Sequence, residues 1–467
     1  MRKFYRFACC VSAICILMTG CSNNGKTETS SVAEVVQSQS DTESESPKIE
    51  EDTDIGEHKD YDKENAESYE SGSIIVVNQD GKKRGLETYT MMLGEGCLEF
   101  YANELNTQKQ LLGKKVNMYS MIVPSACELY CPANERYRID SQEEIIENVK
   151  QMLIGVEQVD VLPTLKNHNA EDIYYRSDSR WTPLGAYYAA KVFAKKADVP
   201  FADISEYTPT KSRDYIGDLQ YISGPQAYSD FQATPDKFSF YAPKAKYTTN
   251  YYDENFKYLV TDNFYSEVSE NSTSLFDGYY AGGYYSLKID TDVQNERKVM
   301  IVKDEFGTLF PMFLTSSFSE IYVVSYTYTE ANLIEMIKEF GITDVIYVMN
   351  TFPVTDTRVY SIETLRTQAT HGSLKDDAPD SDSETDSDSN TDKLKSSDKD
   401  TDTIEYIYDV GINNQVGVIE HSDEDDNNEI SEINNDNYDN ENFDNDDNGN
   451  IDNDYEDNAD YGDYDED

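Results

Sequence analysis

Residues 174–188 have the sequence YYRSDSRWTPLGAYY, in which a polar segment runs directly into an apolar helical pattern. Pro183 stands where a helix tolerates proline best, in its first turn, so the sequence predicts a helix from Pro183 to about Ala197. Trp181 is the only tryptophan of the chain and immediately precedes this helix. We expect Trp181 to anchor the core at a strand–helix junction, and the alternative is a ring that stacks on a sugar.

Short apolar runs alternate with helical patterns across residues 71–372, which have the size of one large domain. The predicted strands are 74–77, 116–123, 159–162, 298–302, 320–324 and 344–349. The predicted helices are 98–112, 145–154, 183–197, 307–314 and 330–340. This alternation favours a three-layer α/β domain with a largely parallel sheet. Functional side chains in such sheets lie at the carboxyl ends of the strands, so we expect the site there.

The segment around Trp181 resembles the signature of the DHHW family, an SGNH-hydrolase-like group of exported bacterial proteins. In that family the segment reads Asp-His-His-Trp-Thr-x-x-Gly-Ala-Tyr, and here the two histidines are replaced by Ser179 and Arg180. A later segment, 299–311, resembles the family's apolar strand followed by Lys/Gly-Asp-Ser-Tyr-Gly, with Glu305 at the serine position. The resemblance extends over most of residues 71–372. It implies an SGNH-like fold related to polysaccharide O-acetyltransferase and esterase domains.

A serine hydrolase of this type needs a nucleophile, a base and a carboxylate that orients the base. The resemblance places the base and the carboxylate in the first segment and the nucleophile in the second. Arg180 cannot act as a base at accessible pH, and Glu305 has no hydroxyl group to attack with. The resemblance therefore implies a degenerate active site. Its central residues would be Asp178, Arg180 and Glu305, supported by Asp304, Trp181 and Gly307.

An ion pair is the first interpretation of these replacements. If the family geometry holds, Arg180 and Glu305 face each other as a bidentate pair, with Asp178 as a second acceptor. Alternatively, Asp178 and Glu305 could act as acid and base on a glycosidic bond, but Arg180 would keep both carboxyls ionised. His168 lies in a polar segment, and we expect it at a solvent-facing helix end and not as a replacement base.

The first 20 residues are predicted to be a lipoprotein signal peptide. A basic start precedes the apolar run 7–18, and Cys21 directly follows Thr-Gly. The run is shorter than the roughly 20 apolar residues of a membrane-spanning helix. We therefore expect a lipid on Cys21 that holds the protein on the extracytoplasmic side of the cell membrane. An ordinary signal peptide with another cleavage point is the alternative.

The formal net charge of -52 is unevenly distributed. Residues 373–467 carry 35 acidic side chains and four lysines, which accounts for -31 of the total. Such a field repels nucleic acid and anionic headgroups, so we expect no nucleic-acid partner and membrane contact only through the lipid. The composition predicts a disordered acidic tether over residues 21–70 and a low-complexity Asp/Asn/Ser-rich tail over residues 373–467.

The sequence predicts no cofactor and, as a metal site, only one weak calcium-loop pattern. Asp444, Asp446 and Asn448 have the spacing of the first ligands of such a loop. Tyr455 stands where the loop needs a carboxylate, so we expect weak cation binding at most. Three arrangements of cysteines remain open: a Cys127–Cys131 disulfide, a disulfide of Cys97 with either, or three free buried thiols.

These observations favour an exported, lipid-anchored and catalytically silent SGNH-like protein. Its expected partners are cell-surface polysaccharide, whose modification it would assist, or a cell-envelope protein. Two alternatives remain open. One is an active acyl-esterase or O-acetyltransferase on extracellular glycans, and the other is a surface spacer or adhesion protein. Tyr-rich runs give a weak signal for a carbohydrate groove, which would be lined by Tyr251, Tyr252, Tyr279, Tyr280, Tyr284 and Tyr285. Because the chain has 37 tyrosines, clustering by composition alone is the alternative.

Overall fold

The computed structural model of the chain describes residues 56–88, 96–265 and 286–374, which all belong to one unit. Its strands are β1 (Ser68–Ser71), β2 (Ile74–Gln79), β3 (Lys82–Glu87), β4 (Asn117–Val123), β5 (Glu157–Gln158), β6 (Tyr207–Pro209), β7 (Arg213–Tyr215), β8 (Asp236–Phe238), β9 (Tyr241–Pro243), β10 (Tyr247–Tyr252), β11 (Tyr258–Asp262), β12 (Ser286–Thr291), β13 (Lys298–Lys303), β14 (Glu320–Ser325) and β15 (Asp344–Asn350). Its α-helices are α1 (Cys97–Leu112), α2 (Ala126–Tyr130), α3 (Gln142–Met152), α4 (Leu162–Asn167), α5 (Pro183–Lys196), α6 (Leu219–Ile222), α7 (Pro225–Ala233), α8 (Leu333–Glu339), α9 (Thr351–Thr355) and α10 (Ser361–Thr367).

The main sheet of the described ranges has the strand order β11-β10-β12-β14-β13-β15-β4-β5. The strands from β14 to β5 run parallel to their neighbours, while β11, β10 and β12 extend the sheet in antiparallel fashion. The fold is therefore α/β with a mixed, mostly parallel sheet, as the strand–helix alternation predicted. Every residue of β15 is buried, which explains why the central strands are nearly continuous apolar runs in the sequence.

A smaller antiparallel sheet, β1-β2-β3, packs against α6 and α7. Its core contains Ile74, Val76, Leu219 and Phe231. The backbone N–H of Gly85 on β3 donates to the carbonyl of Arg176 at 2.8 Å. This bond attaches the small sheet to the polar segment that precedes α5.

Residues 56–70 belong to the folded part, although their composition assigned them to the tether. Within this stretch, β1 pairs with β2, and the Lys59 backbone N–H donates to Asn169 Oδ1 at 2.8 Å. His58 Nδ1 lies 2.7 Å from the carbonyl oxygen of Lys166. The boundary at residue 70 is therefore too late, because backbone groups before it are satisfied by the domain. The predictions for residues 1–55 and 375–467, Cys21 included, fall outside the described residues.

Two predicted elements differ from the structure. The expected strand 159–162 is replaced by β5, which ends at Gln158, and by α4, which begins at Leu162. The expected helix 307–314 is two short 3₁₀ segments, Glu305–Leu309 and Pro311–Leu314. Pro311 prevents a continuous helix because it has no N–H and its ring clashes with the preceding turn.

The expectation of a tyrosine-lined groove is wrong for two of its members. Tyr251 and Tyr252 are fully buried in β10, which lies between two other strands of the sheet. Their rings therefore belong to the core. Tyr279, Tyr280, Tyr284 and Tyr285 lie outside the described residues.

No helix within the described ranges combines the length and the apolar character that crossing a bilayer requires.

Candidate functional site: a carboxylate and guanidinium cluster at the strand ends

The turn after β13 carries Glu305, at the position that the motif resemblance assigns to the nucleophile. Asp304 begins this turn, and its Oδ1 accepts a hydrogen bond from the Phe306 N–H at 2.9 Å. Its Oδ2 accepts from the Asn350 N–H at 2.6 Å, which ties the turn to the end of β15. Burial raises the pKa of Asp304 to about 6. Glu305 follows with a side chain that is 55% exposed, so the turn presents a carboxylate to solvent.

The segment before α5 is fixed against this turn by Trp181. The indole is fully buried, and its Nε1–H donates to the carbonyl oxygen of Phe306 at 2.8 Å. Thr182 caps α5 by accepting from the Gly185 N–H at 3.3 Å. A Cβ on Gly185 would lie 2.4 Å from the carbonyl oxygen of Ile173, so only glycine fits there. The expectation that Trp181 is a core anchor is confirmed.

Asp178 and Arg180 form a bidentate ion pair in which Asp178 is fully buried and the Arg180 side chain is 15% exposed. Arg180 Nε donates to Asp178 Oδ1 at 2.8 Å, and Arg180 Nη2 donates to Asp178 Oδ2 at 2.8 Å. The Arg180 backbone N–H adds a bond to Oδ1 at 2.9 Å. Burial by itself would raise the pKa of Asp178, but the charge and hydrogen bonds of Arg180, together with Tyr215, hold it below its usual value. Asp178 is therefore ionised, and Arg180 is its counter-charge.

Two further contacts to this pair come from a segment that the sequence did not indicate. The Tyr215 hydroxyl donates to Asp178 Oδ2, and the Asp218 N–H donates to the same oxygen at 3.2 Å. The Asp218 carboxylate in turn accepts from the Ser179 N–H at 2.9 Å and from the Ser179 hydroxyl at 2.8 Å. The only local signal for this role is Gly217, where a Cβ would lie 2.2 Å from that of Asp178.

Glu305 is a distant partner of Arg180, although a bidentate pair between them was expected. Arg180 Nη1 lies 3.7 Å from Glu305 Oε2, and Arg180 Nη2 lies 3.9 Å from Asp218 Oδ2. Asp178, which was expected as the second acceptor of Arg180, is therefore the first, and Glu305 is the weaker one. The physical reason is proximity, because Asp178 is buried two residues from Arg180 whereas Glu305 extends into solvent.

The ends of β14 and β15 bring further polar side chains to the same edge. Tyr326 follows β14, and its N–H donates to the carbonyl oxygen of Lys303 at 3.1 Å. Burial raises the pKa of Tyr326, with additional effects from Asp304 and Arg358. The Arg358 side chain is 47% exposed and binds Asp356. Tyr326 lies in a segment, 325–328, that the motif comparison had indicated as a changed Asp-x-Arg-Tyr of the family, whereas Asp356 and Arg358 were not identified from the sequence.

His168 does not replace the missing base. It follows the last residue of α4, as expected, but its side chain is buried and not solvent-facing. Its ring stacks on Tyr188 with 3.7 Å between ring centroids, and its Nδ1 lies 2.5 Å from Glu171 Oε1. Gly56 covers the same ring, since a Cβ there would lie 2.3 Å from Nδ1. The segment before β1 therefore buries this histidine.

The described ranges contain no cluster of three or more His, Cys, Asp or Glu side chains that could hold a metal ion. The calcium-loop pattern of Asp444, Asp446 and Asn448 lies outside the described residues. Cys97, Cys127 and Cys131 are buried free thiols, so the question left open by the sequence is resolved in favour of unpaired cysteines.

Residues 88–324 match a family model whose description is "DHHW protein". The chain belongs to the DHHW family. A solved DHHW family protein from Eubacterium siraeum is 29% identical and has a TM-score of 0.60, over 66% of this chain and 100% of that one. The family that the motifs of Trp181 and Glu305 suggested is thus confirmed.

Two other solved structures resemble this DHHW protein at lower similarity. Bacillus cereus PatB1, solved with a sulfonyl adduct, is 18% identical with a TM-score of 0.49, over 62% of this chain and 98% of that one. The O-acetyltransferase domain of Pseudomonas putida AlgJ is 13% identical with a TM-score of 0.36, over 65% of this chain and 100% of that one. No curated protein matches the sequence.

Proposed function

We propose that this DHHW protein is exported and lipid-anchored, and that it binds cell-surface polysaccharide or assists its modification without turning over acyl esters. The observation that carries the proposal is the bidentate pair of Asp178 and Arg180. It occupies the position where the family motif has a histidine next to its carboxylate. A guanidinium cannot accept a proton, so general-base catalysis is lost at this position.

The nucleophile position supports the same conclusion. Glu305 replaces the serine of the motif, and a carboxylate at this turn cannot follow the usual acyl-serine route. Ser179 does not restore the missing nucleophile. Its hydroxyl donates to Asp218 Oδ2, and a carboxylate is a weaker base than the imidazole that such a serine needs. The resemblance to the SGNH-like group implies acyl-ester transfer or hydrolysis on polysaccharide as the ancestral chemistry. Binding of the glycan can persist after that chemistry is lost.

The rim of the site has the chemistry of a sugar-binding surface. Tyr328, three residues after the end of β14, is 55% exposed, and Arg358 and Glu305 offer a guanidinium and a carboxylate to solvent. Aromatic rings pack on sugar faces, while fixed charged groups bind hydroxyls. The cluster of carboxylates would repel a polyanion, so the proposal is for a glycan without a high negative charge.

A turnover assay tests the loss of catalysis. Full-length protein would be compared with the double variant Arg180→His, Glu305→Ser, using p-nitrophenyl acetate as the ester. We expect no steady-state release of nitrophenol by the native protein and measurable release by the double variant. Steady turnover by the native protein that disappears in a folded Asp178→Ala variant would contradict the proposal.

A binding assay tests the retained function. Polysaccharide from the surface of the producing cells would be titrated into the full-length protein. We expect at least a tenfold loss of affinity for Tyr328→Ala and no change for the control Tyr137→Ala, whose side chain is also exposed but belongs to a different surface segment. Equal binding by both variants would exclude this rim as the sugar site.

The lipid anchor is tested separately by fractionation. Cys21 is the proposed lipid site, so Cys21→Ala should move the protein out of the membrane fraction. Retention of that variant in the membrane would contradict the anchor.

A further inference from the structure

Lys303, the last residue of β13, is a buried lysine at the end of the central sheet. Only 6% of the residue is exposed. Its Nζ lies 3.2 Å from Thr308 Oγ1, within hydrogen-bond distance. Neither residue has been used in the argument for the Asp178–Arg180 pair.

The amine of Lys303 lies where its charged form is disfavoured. Burial lowers its pKa to about 8, although the charges of Asp304 and Glu305 act in the opposite direction. A lysine with a lowered pKa is partly neutral near physiological pH and can then accept a proton. Amines of this kind act as general bases for a neighbouring hydroxyl in several hydrolase classes.

Gly307 holds the lysine side chain in this position. A Cβ on Gly307 would lie 2.4 Å from the Cβ of Lys303 and 3.3 Å from its Cδ. The methylene chain of Lys303 therefore runs along the glycine, and its amine ends beside Thr308. The absence of a side chain at Gly307 therefore allows the Lys303 amine to reach Thr308.

Thr308 belongs to the turn that carries the family's nucleophile position. The 3₁₀ segment Glu305–Leu309 contains both Thr308 and the exposed Glu305. Thr308 itself is half-buried. A hydroxyl in this segment, with an amine at 3.2 Å, meets the distance requirement for a nucleophile and its base.

We propose that Lys303 and Thr308 form an acyl-accepting dyad, in which Thr308 takes an acyl group from an activated ester. The neutral Lys303 amine removes the proton of the Thr308 hydroxyl as Oγ1 bonds to the acyl carbon. The bond from that carbon to the alcohol oxygen then breaks, and the leaving alkoxide takes the proton from the Lys303 ammonium. The products are one acyl-threonine and one alcohol, with Lys303 neutral again.

Acyl-Thr308 accumulates and does not turn over rapidly. The ester and its leaving alcohol reach Lys303 only from the half-buried Thr308 side, and the acyl group then occupies that approach and keeps out the water that deacylation needs. The dyad therefore accepts about one acyl group per protein molecule, which is consistent with the absence of steady turnover in the proposed function. The two proposals are tested by different results, because the dyad predicts a single covalent adduct on Thr308 and the proposed function predicts glycan binding.

The test is acetylation of the full-length protein by p-nitrophenyl acetate, followed by peptide mass spectrometry. We expect an acetyl group on Thr308 in the native protein, none at this position in Thr308→Val, and at least a tenfold slower labelling of Thr308 in Lys303→Met. Thr327→Val is the matched control, because Thr327 is an exposed threonine after β14 whose hydroxyl contacts Ser325 Oγ at 3.2 Å. The rate of Thr308 acetylation in Thr327→Val should equal that in the native protein.

Two results would overturn the dyad. One is the absence of an acetyl group on Thr308 in native protein that is labelled at surface lysines. The other is an unchanged rate of Thr308 labelling in Lys303→Met with native Trp181 fluorescence, since Lys303 would then play no part in activating the hydroxyl.

Discussion

Arg180 donates three hydrogen bonds to the carboxylate of Asp178, the residue two positions before it, and lies 3.7 Å from Glu305. The pair is enclosed on the other side by the Tyr215 hydroxyl. The pair places a fixed cation at the position to which the motif resemblance assigned a base. The stabilising partner of Arg180 is the buried carboxylate of Asp178, whereas the carboxylate of Glu305 is exposed.

The carboxylates of Asp178 and Glu305 should differ strongly in their effect on stability, although both lie near Arg180. Removing one partner of a buried pair leaves an uncompensated charge, so we expect Asp178→Asn to lower the free energy of unfolding by about 3–5 kcal/mol. Glu305→Gln weakens a long contact of a side chain that is 55% exposed, and we expect a change within about 0.5 kcal/mol. Urea denaturation followed by Trp181 fluorescence measures both values.

A matched surface variant completes that comparison. Lys150 and Glu147 form an exposed pair on α3, and Lys150→Met should change the free energy of unfolding no more than Glu305→Gln does. Equal losses for Asp178→Asn and Glu305→Gln would show that Arg180 divides its interaction between the two carboxylates.

Lys303 predicts a pH dependence of stability on the alkaline side. Its pKa falls from 10.5 to about 8 on folding. Between these values the unfolded chain binds more protons than the folded one, so the lysine's contribution makes stability rise with pH. The shift corresponds to a free energy on the order of 3 kcal/mol.

The measurement is the difference in free energy of unfolding between Lys303→Met and the native protein, at pH 7 and at pH 10.5. Ionisation of tyrosines affects both proteins and cancels in the difference. We expect the variant to lose relative stability as the pH rises. Lys150→Met is the control, because the bond to Glu147 raises the pKa of Lys150 and reverses the sign. A pH-independent difference for Lys303→Met would mean that the amine is not desolvated in solution.

The parallel strands could be predicted because each is an apolar run that is buried on both faces. β13, β14 and β15 begin and end within one residue of the predicted bounds, since the interior of each strand is an apolar run that is buried on both faces. The small sheet β1-β2-β3 was not predicted as a sheet. β3 has the sequence KKRGLE, in which the alternation of apolar residues is too short to recognise.

The central residues of the site could be predicted only where the family motif supplies them. Asp178, Arg180 and Glu305 were found by comparison with the motif. Tyr215 and Asp218 were not, because they belong to the short elements β7 and α6, or precede them directly, and approach Asp178 through tertiary packing. The preference of Arg180 for Asp178 also required the structure, since it depends on which carboxylate is buried.

Gly217 should be intolerant of any side chain. A Cβ at this position would lie 2.2 Å from the Cβ and 2.7 Å from the Cα of Asp178, and the backbone atom cannot move without displacing the ion pair. We expect Gly217→Ala to lower the free energy of unfolding by about 1–3 kcal/mol.

Gly224→Ala is the matched control in the same segment. Its Cβ would meet the Ser71 hydroxyl at 3.0 Å, a side-chain atom that can shift, and the next atom, the Gly72 nitrogen, only at 4.0 Å. Urea denaturation of the two alanine variants should therefore show a clearly larger loss for Gly217→Ala. If the two variants were equally stable, the close approach of Gly217 to Asp178 would not exist in solution.

The three cysteines of the domain should be unreactive as long as the protein is folded. Cys97, Cys127 and Cys131 are free and buried, and burial raises the pKa of both Cys127 and Cys131, the latter to about 12. Thiol reagents attack the thiolate, which is therefore scarce as well as inaccessible. We expect no reaction of these three with an aromatic disulfide reagent in buffer and reaction of all three in denaturant. If Cys127 and Cys131 reacted only after chemical reduction, they would form a disulfide across α2. The free Cys127 thiol that accepts from the Gln142 amide would then not exist in solution.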